Sequence, residues 1–207
     1  MEATFVIPAF PTAEELPARL EQTLTALFDD FAEVHTRYQL ALDTLRNTLA
    51  ENASPSVADM ADAINQQIAY TLQFCGTLGL QANWDHFMYP AQPTFLEEDY
   101  ETFLQESSLR TKRQYVQAQD VLSRFYRQLS PEQKEVYETV IEYISYLETV
   151  CPKLAHFRGY MLGDALLKHT VKGYQPDTVL AEQYRKMVED YLGVEIYGQI
   201  STMSKDE

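Results

Sequence analysis

The segment His156-Phe157-Arg158-Gly159-Tyr160-Met161-Leu162-Gly163-Asp164 holds the densest set of chemically capable side chains in the chain. Gly159 and Gly163 stand four apart, on one face of a helix, and two missing side chains there make a groove open to a neighbouring helix or a flat ligand. Arg158 with His156 is the candidate anion site; a structural ion pair is the competing reading of Arg158. Tyr160 and Asp164 flank the groove and complete a candidate ligand-binding set. None of the four histidines has a glutamate three residues before it, so the Glu-x-x-His spacing by which helical bundles hold paired iron is absent. No His-x-x-x-His pair exists either, and neither Cys75 nor Cys151 belongs to a Cys-x-x-Cys pair. Gly-x-Ser-x-Gly, a glycine-rich phosphate loop and a dinucleotide fingerprint are missing as well. No metal site, resident cofactor or catalytic residue is therefore assigned, and enzyme activity is disfavoured.

His35 lies beside an apolar helical stripe, between Phe31 and Tyr38. One reading is a partly buried, hydrogen-bonded histidine. The other comes from a resemblance: Ala32-Glu33-Val34-His35-Thr36 is similar to the segment around the heme-ligating histidine of heme oxygenases. Tyr160-Met161-Leu162-Gly163-Asp164 resembles the Gly-Asp start of that family's distal helix. The resemblance implies an all-helical domain in which His35 ligates iron while Gly163 and Asp164 line the oxygen side. It covers about a dozen residues, and Ala165, Leu166 and Leu167 stand where the family has paired glycines.

Two apolar surfaces point instead to protein contacts. Residues 83–95 read as an irregular aromatic loop carrying Trp84, Phe87, Met88 and Tyr89. The N-terminal arm, residues 1–11, carries Phe5, Ile7 and Phe10 between prolines. Both are candidate interaction surfaces, with packing onto the chain's own bundle as the alternative.

The elements that must position these residues read as helices. Only 7 glycines and 9 prolines occur in 207 residues, too few for the many tight turns of a sandwich or barrel. Leu20, Leu24, Leu27, Phe31, Val34, Tyr38, Leu42, Leu45 and Leu49 keep to one helical face and predict a first helix of about eight turns. Its start is signalled by Thr12-x-x-Glu15 or by Pro17. Ser54-Pro55 reads as the start of a second helix that weakens at Gly76 and Gly79. Thr94-x-x-Glu97 predicts a third, to about Leu129, and Ser130-Pro131-Glu132-Gln133 a fourth. Pro152 should kink or split that fourth helix. A last helix starts near Asp177 and stops at Gly193, leaving a tail over 194–207. The expectation is one all-α domain over residues 1–207, an elongated bundle of about five helices. Stripes of this length leave apolar surface that a second copy would cover, hence a homodimer.

Charge narrows the partners. The net charge is −15, and residues 1–100 carry 3 basic against 15 acidic side chains. Nucleic acid and anionic membranes are disfavoured on long-range electrostatics. Arg110, Lys112 and Arg113, with Arg124 and Arg127, are read as facing the acidic half rather than phosphate. With no basic-plus-apolar leader, no apolar stretch of spanning length and two cysteines read as reduced core thiols, the expected compartment is the cytoplasm. The function expected from these features is a self-associating helical interaction or regulatory module. A small-molecule or heme-binding helical protein is the alternative.

Overall fold

The computed structural model describes residues 16–26, 30–90 and 113–192. They form helices α1 (Leu16–Thr25), α2 (Phe31–Thr48), α3 (Val57–Met88), α4 (Arg113–Gln128), α5 (Pro131–Thr170) and α6 (Thr178–Leu192), with no strand among the described residues. The fold is all-α. At 1.5 Å per residue the 40-residue α5 is about 60 Å long.

Capping chemistry sets the starts of the two longest helices. At Ser56 the hydroxyl accepts from the Asp59 amide at 3.2 Å, and the Asp59 carboxylate accepts the Ser56 amide at 2.8 Å. The cap of α3 is thus Ser56, two residues beyond the expected Ser54. At the head of α5 the expected box forms as read: Ser130 Oγ accepts from the Gln133 amide at 3.3 Å, and Gln133 Oε1 accepts the Ser130 amide at 2.9 Å. Gln133 Nε2 also donates to the Thr48 carbonyl at 3.0 Å, so one side chain ties the start of α5 to the end of α2.

The first stripe is divided between two helices. Asp30 takes the N-cap position of α2, and its carboxylate accepts a hydrogen bond from the Tyr146 hydroxyl of α5 at 3.1 Å. Leu20 and Leu24 on α1, and Phe31, Val34, Tyr38, Leu42 and Leu45 on α2, are nonetheless all buried. α3 continues through Gly76 and Gly79 and takes in residues 83–88, which had read as loop. α5 runs without a break past Pro152, which is itself buried among Cys151, Leu154 and Ala155. Tertiary packing outweighs the lost amide there. Gly173, with φ +82°, takes the left-handed backbone that turns the chain toward α6.

Helix directions follow from cross-contacts. Gly159 approaches Gly76 and Gly163 approaches Asn83, so α3 and α5 run parallel as the central pair. α2 lies antiparallel on α5, with Arg37 clamping Glu142 through two bonds of 3.1 Å. α4 lies antiparallel on α3, Tyr115 near Tyr70 and Gln128 donating to the Pro55 carbonyl. α6 returns along the second half of α5. Phe31, Leu45, Met60, Ile64, Phe125, Val140 and Leu147 are the fully buried centre of the resulting core.

Candidate functional site

The groove expected at Gly159 and Gly163 is occupied by α3. A Cβ on Gly159 would lie 1.9 Å from the Gly76 carbonyl oxygen, and one on Gly79 would lie 1.8 Å from that of His156. Backbone therefore meets backbone along this seam, closer than any side chain permits. At Gly163 the vacated space holds the side chain of Asn83, whose Oδ1 would be 2.5 Å from an added Cβ.

A polar cluster closes the seam at its C-terminal end. Asp164 is buried, and its Oδ1 accepts from Asn83 Nδ2 at 2.8 Å and from the Tyr174 hydroxyl at 2.6 Å. Burial, then the Asp164 carboxylate itself, raises the Tyr174 hydroxyl pKa, so it stays a donor. The Tyr160 hydroxyl is pushed up to about 12, first by burial and then by Asp164. Asn83 and His86 contribute two buried atoms, Oδ1 and Nδ1, without a hydrogen-bond partner. Asn83 and Tyr174 went unremarked in the sequence. The available signal was a polar residue in the apolar α3 face, one helical turn past Gly79.

His156 is buried on the side of α5 that meets α6, its Nδ1 hydrogen-bonded to the Tyr184 hydroxyl. Tyr184 stacks on Tyr160 at 4.5 Å between ring centres. Burial lowers the His156 pKa to about 4, so the imidazole is neutral at pH 7. Arg158 is exposed. The two residues read together as an anion site are thus parted, one neutral inside the core and one on the exposed side of α5.

His35 sits in an aromatic cluster of α2 and α5. Its ring lies 5.6 Å from that of Phe31 and 5.8 Å from that of Tyr143. Its Nε2 is 3.2 Å from Gln39 Nε2 and its Nδ1 3.7 Å from a Glu21 carboxylate oxygen. Tyr143 precedes Asp164 by about 20 residues of continuous helix, or about 30 Å. His35 and the Gly163–Asp164 pair therefore cannot hold the two faces of one heme, and no site for that group is assembled from them.

At the end of α3 the side chains of Trp84, Met88 and Tyr89 are 51, 49 and 59% exposed. Phe87 is half-buried, edge-on to Tyr174 at 5.5 Å. Phe5, Ile7 and Phe10, together with residues 91–95, 110 and 112 and the tail over 194–207, lie outside the described residues. Among the described residues no group of three or more His, Cys, Asp or Glu is placed to hold a metal ion, and no helix is long and apolar enough to cross a membrane. Cys75 and Cys151 are both buried. Comparison with models of known families, with curated proteins and with solved structures gives no match.

Proposed function

We propose that the chain is a non-catalytic, cytoplasmic interaction or regulatory module that self-associates through the C-terminal end of α3. One observation carries this reading: Trp84, Met88 and Tyr89 expose about half or more of their surface within six residues of one helix end. Burying such side chains against a second copy gains on the order of 25 cal/mol for each Å² of apolar surface removed from water. Large aromatic residues beside a methionine are also the residue types that concentrate at protein interfaces. The closed glycine seam and the neutral, hydrogen-bonded His156 support a binding role over a catalytic one. The acidic surface supports protein partners over nucleic acid or membrane.

Trp84 is the sole tryptophan, so its emission reports on this patch alone. Sedimentation of the full chain should show a mass rising with concentration from the 23.9 kDa monomer toward a dimer. Trp84 emission should move to shorter wavelength over the same range. Two partners of charge −15 repel, so added salt should strengthen the association. Met88→Glu should leave a monomer with unshifted emission. A wild-type chain that stays monomeric with unmoved emission at every concentration and salt level refutes self-association.

A further inference from the structure

Two helical turns before the glycine seam, a cavity of about 20 Å³ lies between α3, α4 and α5. Its walls are aliphatic apart from Gln67 and Thr71 of α3, Tyr115 of α4, and Glu148 and Cys151 of α5. Gln67 is only 6% exposed, and its Nε2 is buried without a hydrogen-bond partner. Gln67 is flanked by Ile64 and Ile68 on the buried face of α3, and the cavity it lines reaches the surface beside Glu148. A buried amide N–H is costly to leave unmade, so an occupant of the cavity is expected to satisfy it.

The chemistry of the wall selects that occupant. Gln67 Nε2 is a donor, so the occupant must accept a hydrogen bond, which excludes a metal cation. The Glu148 carboxylate lines the same space, which disfavours an anion and calls for an occupant that also donates. The hydroxyls of Thr71 and Tyr115 can take either role. About 10–15 Å³ is enough for one water, provided it finds two to four polar partners. The geometry points to a built site for a single water molecule that accepts from Gln67 Nε2 and donates to the Glu148 carboxylate, joining α3 to α5 through the cavity.

The test pairs a crystal structure of the full chain at atomic resolution with urea unfolding of Gln67→Met. Methionine matches glutamine closely in length and removes only the polar end. The site predicts ordered density within hydrogen-bond distance of Gln67 Nε2, absent in the variant. It also predicts a rise of roughly 2–10-fold in the variant's unfolding constant, because the water loses its anchor. An empty cavity in the wild-type crystal overturns the proposal. So does an unchanged or lowered unfolding constant, the outcome expected when an unsolvated amide is simply deleted.

Discussion

Replacing Gly159 with alanine separates two accounts of the central pair. A glycine inside a helix weakens it, and Gly→Ala at an exposed site gains about 1 kcal/mol. The seam demands the opposite sign. The added methyl would stand 1.9 Å from the Gly76 carbonyl oxygen, against an ordinary carbon–oxygen contact of about 3.3 Å. The obstacle is backbone, so no rotamer relieves it, and α3 and α5 must part by more than an ångström. Overpacking a rigid core costs typically about 1–3 kcal/mol and sometimes more. With backbone opposing backbone the upper end applies, leaving a net loss of about 2 kcal/mol after the helix-propensity gain. Urea denaturation followed by circular dichroism measures it. Gly79→Ala should behave alike, its methyl meeting the His156 carbonyl oxygen at 1.8 Å. Gly173→Ala should lose about 1–2 kcal/mol for another reason, since nothing lies within 4 Å and only its φ of +82° is at stake. A Gly159→Ala protein at or above wild-type stability would refute the tight seam.

Two further outcomes follow from the same contacts. His156 titrates near 6.5 unfolded and about 4 folded, so the unfolded chain binds the extra proton. Its stability is complete above pH 6.5 and falls by on the order of 3 kcal/mol as pH drops toward 4; His156→Gln should flatten the melting-temperature profile in that window, and an unchanged profile counts against a buried neutral imidazole. Ser130→Ala removes the cap at the head of α5 and should cost about 1 kcal/mol in thermal unfolding.

What was legible in the sequence was whatever depends on neighbours within a few residues. Ser130 and Gln133 signal a helix start because both halves of the capping box lie in one turn. Leu20 through Leu45 signal burial because a 3.6-residue period needs no knowledge of the partner. The failures share the opposite property. Gly76 and Gly79 look like helix weakeners until Gly159 and the His156 carbonyl are brought against them from about 80 residues away. Asn83 looks like the start of a loop until Gly163 opens a slot for it and Asp164 accepts its amide. Leu24 and Phe31 continue one stripe but lie on separate helices, and Asp30 at the head of the second is held by Tyr146 from α5, more than a hundred residues away.

The glycine seam also decides where the polar side chains of residues 156–164 face. Parallel helices have no short connection between them, so their pairing depends wholly on side-chain and backbone fit. Here glycines supply the fit for α3 and α5 along the stretch where the sequence places a ligand groove. Once those helices are in contact, the polar atoms of residues 156–164 divide. His156 turns to Tyr184 on α6, Asp164 to Asn83 and Tyr174, and Arg158 to water. No convergent reactive set survives that division. The same close approach carries α3 past the seam and ends it on Trp84, Met88 and Tyr89, apolar side chains facing solvent where α5 gives them no cover. The packing that closes the interior thus leaves those three side chains uncovered at the helix end.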